Sequence, residues 1–392
     1  MLAETNQPTD QNIYHHFDVI IVGAGPAGTT CALALADSGL RVAILDKAGF
    51  PRDKVCGDSI PGRSVKLLGQ IDSRYQEILS KFPHTEYVSA TRVVSSSGKQ
   101  IIKYWNNRAY NCKRMEFDNL LFDWVKSDTN TTVYENTELQ SVNINDDKVL
   151  LKTSSGNFSA DMIVGCDGAH SLLAKRLTGF TVNKYHYAGA VRAYHSNITG
   201  CTPNLNEIFF SKKAYPGYFW LFPLPDNSFN IGFGMLSEAI AEKKVNLKES
   251  LVAVIEEFPE LTQRFSASGP IQQVDGFGLP LGSRDLRLSG NRFLLCGDAA
   301  SLIDPLSGDG IGNAMTSGKI AAEHIRNYFS KGNFDASTNQ AYDKAVYRTL
   351  GQELKRNTRL LRISSRFPWL LDSAIAFLSK KNFVSRYLLK KL

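Results

Sequence analysis

The sequence predicts an α/β chain, and three observations carry that prediction. A short apolar run, Phe17 to Val22, turns through glycines into a stretch with helical spacing. A second run, Phe293 to Cys296, does the same far downstream, and between them an apolar hairpin signal surrounds Pro225-Asp226-Asn227-Ser228. Short apolar runs feeding helices suit parallel strands covered on both faces, whereas hairpins belong to antiparallel sheet. With 392 residues and 43% hydrophobic content, the chain can hold two or three domains with full cores.

The first elements follow in order. "MLAETNQPTDQNIYHH" is polar, lacks the basic-then-apolar order of a signal peptide, and reads as a flexible arm over residues 1–14. Phe17 to Val22 then predicts a strand, Pro26 to Ser38 a helix and Arg41 to Asp46 a second strand, which together make a βαβ unit. Val19 to Ala36 is eighteen residues without a charge, the lower edge for a membrane span. Its three glycines, a proline and paired threonines favour a turn instead.

At the first bend, Gly23-Ala24-Gly25-Pro26-Ala27-Gly28 matches GxGxxG in the right context, after a strand and at the start of a helix. Gly23 allows the tight turn, Gly25 lets a pyrophosphate approach the backbone, and Gly28 lets helix and strand pack closely. The helix N-terminus offers free N–H groups and a favourable dipole to the phosphates, with Pro26 and Ala27 in its first turn. Asp46, 18 residues beyond Gly28, stands where a carboxylate accepts ribose hydroxyls, and Lys47 follows it. A Rossmann-like dinucleotide site is the expectation.

Downstream, Phe293-Leu294-Leu295-Cys296 is a buried strand type ending in Gly297-Asp298, and Leu306 to Gly312 is a glycine-rich turn before the helical run Asn313 to Tyr328. "LLCGDAASLIDPLSGDGIGNAMTSG" resembles the GDAA-x-x-x-x-P-x-x-G-x-G-I segment of FAD-dependent oxidoreductases in the hydroxylase and geranylgeranyl reductase superfamily. The resemblance implies FAD, with Asp298 on the ribityl chain beside Gly297. It also implies a loop carrying Pro305, Gly308, Gly310 and Ile311 against the isoalloxazine.

Other segments agree. "KRMEFDNLLFDW" resembles that family's R-x-x-F-D-x-x-L helix, in which the arginine, here Arg114, reaches the cofactor; "ADMIVGCDGAHSLLAKRL" resembles its D-G-A-x-S segment, with Asp167 and Gly168 in place. "FPRDKVCGDSI" resembles the P-R-x-K-x-C-G signature of geranylgeranyl reductases and related halogenases, bringing Arg52, Cys56 and Gly57 to the cofactor. Cys56 is the candidate catalytic residue, with proton donation, gating and packing all open to it. "YPGYFWLFPLPDNSFNIGFGM" resembles the reductases' G-Y-x-W-x-F-P hairpin, and strand alternation puts Tyr218, Trp220 and Phe222 on one face as a substrate-pocket wall. The chain departs from the reductases at Leu224, where lysine is usual, and at Asp58, where a second glycine is. It lacks the W-x-W-x-I-P of flavin halogenases, which counts against halogenation.

The expected architecture is therefore α/β: an FAD-binding Rossmann-like domain of GR2 type, an inserted antiparallel-sheet substrate domain and a C-terminal helical region. Residues 15–72, 108–182 and 284–330 build the FAD domain, 73–107 and 183–283 the substrate domain, and 331–392 the helical end.

The expected function is reduction of a C=C bond in a geranylgeranyl-type isoprenoid or similar hydrophobic substrate. Alternatives are a monooxygenase or halogenase on an aromatic or polyketide substrate, and a non-catalytic electron carrier. No second strand-associated GxGxxG occurs, so electrons come from NAD(P)H docking transiently or from a small redox protein.

Six cysteines lie far apart, with no CxxC pair and no histidine at metal-ligand spacing, so no metal is predicted and a reducing, cytoplasmic setting is expected. Residues 341–392 carry 12 Lys/Arg against 3 Asp/Glu, a net of +9 within a chain of +7, so the remaining residues sum to about −2. That concentration at one end, without nucleic-acid motifs, suggests peripheral contact with an anionic membrane through the C-terminal region.

Overall fold

The computed structural model describes residues 14–380, so most of the predicted arm and the last twelve tail residues lie outside it. The Tyr14–Val22 strand sits in a sheet buried on both faces, with Val19, Ile20 and Ile21 fully buried. It pairs in parallel with Val42–Leu45 on one side and Gly156–Gly165 on the other. Thr132–Tyr134 and Phe293–Leu295 extend the parallel set outward.

The strand starts earlier than sequence reading predicts. Tyr14, read as arm, and His15 and His16, ahead of the predicted strand, pair with Asn157, Phe158 and Ser159. A polar segment becomes a strand because a distant partner supplies its ladder, which local periodicity cannot reveal.

A second sheet of eight strands runs from Asp275–Pro280 through Tyr187–Ser196, Ser228–Leu236, Tyr218–Leu224 and Leu205–Phe210 to Glu86–Val94, Gln100–Asn111 and Ser59–Ile60. Apart from the parallel pair Leu205–Phe210 and Glu86–Val94, it is antiparallel. The predicted hairpin is present with a three-residue loop, in which Asp226 and Asn227 both have positive φ, at 61° and 53°, and the Ser228 N–H closes on the Pro225 carbonyl at 3.3 Å. One face of this sheet meets the Leu247–Glu257 and Pro259–Phe265 helices over a core of Phe209, Phe219, Phe233, Leu251 and Leu261.

The C-terminal region is helical as far as it is described. Ala336–Arg366 starts at Asp335, whose side chain accepts the Thr338 N–H at 2.7 Å. Tyr342, Val346, Leu350 and Leu354, at spacings of four, bury one stripe, and Pro368–Lys380 follows after a break at Phe367. Among the described residues, no helix is long and apolar enough to cross a membrane. The uncharged Val19 to Ala36 run is strand, glycine turn and the helix Pro26–Ala34.

Candidate functional site

The glycine turn after the first strand is fixed by close backbone approach. Gly23 has φ +101°, and a Cβ there would lie 2.2 Å from the Cys166 carbonyl oxygen; one on Gly28 would lie 1.9 Å from that of Gly23. Gly25 differs, because a Cβ there meets only Arg52 Nη2, at 3.6 Å. Its bare Cα faces open space.

That space is a cavity of about 1440 Å³ at the carboxyl ends of the parallel strands, closed on its far side by the second sheet. A single small-molecule site usually occupies roughly 300–1000 Å³, so there is room for a dinucleotide and something more. Two helix N-termini open into it: Pro26–Ala34, which no side chain caps, and Ile311–Tyr328, with Gly310 at its N-cap. Their axes cross tightly, since a Cβ on Gly318 would stand 2.2 Å from the Ala27 carbonyl oxygen. Both dipoles therefore present positive ends to one anionic ligand.

The side chains around these helices are braced. Asp46 Oδ2 accepts the Ala24 N–H at 2.8 Å and Oδ1 the Ala48 N–H at 2.9 Å, which rigidifies the turn. Arg114 is buried, with its guanidinium bidentate on Asp118 at 2.6 and 2.7 Å. Arg52 also holds Asp118, at 3.0 Å, and stands 3.8 Å from Asp46. Lys54 Nζ approaches Asp298 at 3.5 Å and lies over the Phe277 ring.

Of the residues read from sequence as cofactor-binding, Gly23, Gly25, Pro26, Ala27, Asp46, Lys47, Arg52, Cys56, Gly57, Arg114, Asp167, Gly168, Gly297, Asp298, Gly308, Gly310 and Ile311 all line this cavity. Gly28 and Pro305 do not. Gly28 lies beneath the turn against Gly23, and Pro305 is buried. Asp167 accepts from Ser171 Oγ at 2.6 Å and the Leu173 N–H at 3.2 Å, so it anchors the start of the Leu172–Thr178 helix.

Tyr218, Trp220 and Phe222 line the far side, while Phe219 and Leu221 point into the second core, as strand alternation predicts. Trp220 Nε1 donates to Asn230 Oδ1 at 2.8 Å, and Asn230 Nδ2 donates to the Cys56 carbonyl at 2.7 Å and to Asp58 Oδ2 at 2.8 Å. The aromatic wall and the Cys56 loop are thus one hydrogen-bonded unit. Cys56→Ser is expected to keep its cofactor and lose turnover at least about tenfold, the scale of one displaced interaction of about 1.4 kcal/mol. Unchanged turnover with bound cofactor would return Cys56 to a packing role.

Asp58, Lys54, Tyr194 and Asn230 were not among the predicted site residues. The signal for Asp58 was its departure from glycine, and for Asn230 its place in the hairpin segment already quoted; Tyr194 sits on a strand with no local motif. Away from the cavity, His16, Asp18 and Asp161 come within 4.8 Å of one another, with Asp18 also paired to Arg41.

A family model described as FAD binding domain matches residues 16–326. The chain is 29% identical over 319 residues to a menaquinone reductase of Mycobacterium tuberculosis, covering 78% of this chain and 76% of that one. It is 27% identical over 371 residues to a digeranylgeranylglycerophospholipid reductase of Methanocella arvoryzae, covering 89% and 88%. The fold is shared with a geranylgeranyl bacteriochlorophyll reductase-like protein from Thermoplasma acidophilum, with a TM-score of 0.81, 23% identity and coverage of 94% and 91%.

Proposed function

The chain belongs to the FAD binding domain family, and on that premise we propose that it is a reductase saturating a C=C bond in a geranylgeranyl-type isoprenoid or a similarly long apolar chain. It is an FAD-dependent oxidoreductase, and its residues fit that cofactor. The Gly25 surface and the uncapped Pro26–Ala34 helix would take the pyrophosphate, and the Gly308–Ile311 turn the ring system. Bound and reduced, FAD supplies a hydride. NAD(P)H docking transiently, or a small redox protein, would restore it.

One observation carries the choice of substrate: the cavity is lined beside Gly57 and Gly308 by Tyr218, Trp220 and Phe222, and also by the exposed Tyr104, Trp105 and Leu360. An aromatic wall of this kind suits a polyprenyl chain. Both curated relatives described above are reductases named for molecules that carry such chains. The test is anaerobic. Dithionite-reduced protein is mixed with geranylgeranyl diphosphate while flavin absorbance is followed. Return of the oxidised spectrum without oxygen, with product two hydrogens heavier, supports the reading; flavin that stays reduced until air enters overturns it.

The exposed residues also favour a lipid surface as the substrate's source. Tyr104 is 71% and Trp369 63% exposed, and Leu360 and Ile363 near the end of the Ala336–Arg366 helix, with Phe367 just past it, are also exposed. Exposed Arg356, Arg359, Arg362 and Arg366 intersperse them. Aromatic and apolar groups flanked by arginines match an anionic bilayer, each basic residue contributing about 1 kcal/mol near the surface. The protein is expected to float with phosphatidylserine vesicles and not with phosphatidylcholine alone, and Trp369→Glu should weaken flotation at least about fivefold, or about 1 kcal/mol. Equal flotation with both vesicle types, or a dimer in sedimentation that Trp369→Glu dissolves, would exclude the membrane as occupant.

A further inference from the structure

A C=C reduction needs a proton as well as a hydride, and the cavity contains several carboxyls. Most are already engaged. Asp46 is bound by two backbone amides, Asp167 by Ser171 and a backbone amide, Asp298 by Lys54 and Asp309 by Arg63. Asp58 is different. It is fully buried, it lines the cavity, and its Oδ1 has no hydrogen-bond partner.

The rest of Asp58 is held from several directions. Oδ2 accepts from Tyr194 Oη and from Asn230 Nδ2, each at 2.8 Å, and its backbone carbonyl accepts the Cys112 N–H at 2.9 Å. The backbone sits at φ +63°, where a residue other than glycine is uncommon and persists only if its surroundings fix it. Asn230 links this carboxyl to Trp220 of the aromatic wall and to the Cys56 carbonyl. Burial of an oxygen without a partner is costly for a carboxylate, much less so for an acid whose O–H occupies it.

We propose that Asp58 is the general acid of the reduction, carrying its proton on Oδ1 and delivering it to the alkene carbon that does not receive the hydride. This rests on the reductase reading. The balance is two electrons and one proton as hydride from reduced flavin and one proton from Asp58. The C=C π bond is replaced by two C–H bonds, the flavin is left oxidised, and Asp58 is left as carboxylate to be reprotonated from water. Tyr194 and Asn230, donating to Oδ2, stabilise that carboxylate. Arg192 and Arg114 are the cations that act on it, Tyr194 and Cys112 its titratable neighbours, and Asp53 pairs with Arg192 at 2.7 Å.

Burial holds the Asp58 carboxyl up at about 6, against the lowering effects of Tyr194, Asn230, Arg192 and Arg114. It is therefore poised to exchange a proton near neutrality.

The experiment has two arms. Infrared difference spectra of the FAD-loaded protein without substrate should show a protonated-carboxyl band that is present at pH 5, disappears as pH rises through about 6, and is absent in Asp58→Asn. A band that survives in Asp58→Asn, or no band, overturns the proposal whatever the substrate. In the second arm, anaerobic single turnover with geranylgeranyl diphosphate should be slowed at least about 100-fold in Asp58→Asn, within the usual range for a general acid. Tyr194→Phe, a gentler change, should shift the pH profile of turnover. Equal alkene reduction by Asp58→Asn and wild type would also overturn the assignment. Failure of wild type itself to turn over would instead remove the reductase reading, leaving the infrared arm as the measure of the Asp58 proton.

Discussion

Gly25→Val is expected to give a folded protein that purifies nearly colourless, its affinity for FAD lowered at least about 100-fold, or about 3 kcal/mol. A Cβ at Gly25 meets only Arg52 Nη2, at 3.6 Å, so the fold has room for the side chain. The ligand does not. An isopropyl group would stand where a pyrophosphate must touch the backbone at the uncapped helix start, blocking the N–H groups and dipole that bind it. Gly28→Val is the contrasting control, since its Cβ would overlap the Gly23 carbonyl oxygen at 1.9 Å and should destabilise the fold itself. Flavin absorbance per protein, with circular dichroism for folding, separates the two. A yellow, fully loaded Gly25→Val would remove the pyrophosphate from this turn.

Much of the site is legible in the sequence because its requirements are local. Gly23, Gly25 and Gly28 fall within one turn between a strand and a helix, and Gly308 and Gly310 within a glycine-rich loop that resembles a family segment, so local context exposes them. Alternation likewise separates Trp220 from Leu221. The Cys56–Asp58–Asn230–Trp220 unit is different, because its members come from a loop and a hairpin more than 150 positions apart and meet only when the second sheet closes the cavity. Arg114 illustrates the same limit. Its motif places it at the cavity, where it lies, and the fold adds a bidentate bond to Asp118 that Arg52 shares, with Arg52 also standing near Asp46. Ile102, Tyr104 and Trp105 lie on the strand Gln100–Asn111 and no local motif marks them, so their exposure is visible only in the fold.

Asp58→Asn should make the protein more stable than wild type at neutral pH, and the advantage should vanish in acid. The sign follows from linkage. The folded carboxyl is held up at about 6 by burial, from an ordinary value of 3.8, so between these values the native state binds more protons than the unfolded chain. Stability from this group is therefore greatest below the ordinary carboxyl range, falls as pH rises, and is fully lost above about 6. A shift of this size corresponds to about 3 kcal/mol at most. Asparagine keeps an oxygen for Tyr194 and Asn230, places an uncharged amide where Oδ1 has no partner, and tolerates the φ of +63°. The difference in melting temperature between variant and wild type, measured by calorimetry from pH 4 to pH 8 in one low-salt buffer series, should be near zero at the acid end and open through about 6. A constant gap would mean that Asp58 does not titrate in this window, and a gap that opens toward acid would mean that its carboxylate, not its acid, is the form the fold prefers. Either outcome would take away the proton that the cavity is proposed to deliver. A gap with the expected sign would mean that wild type gives up stability at neutral pH to keep an acid beside its aromatic wall, a cost that packing alone does not explain.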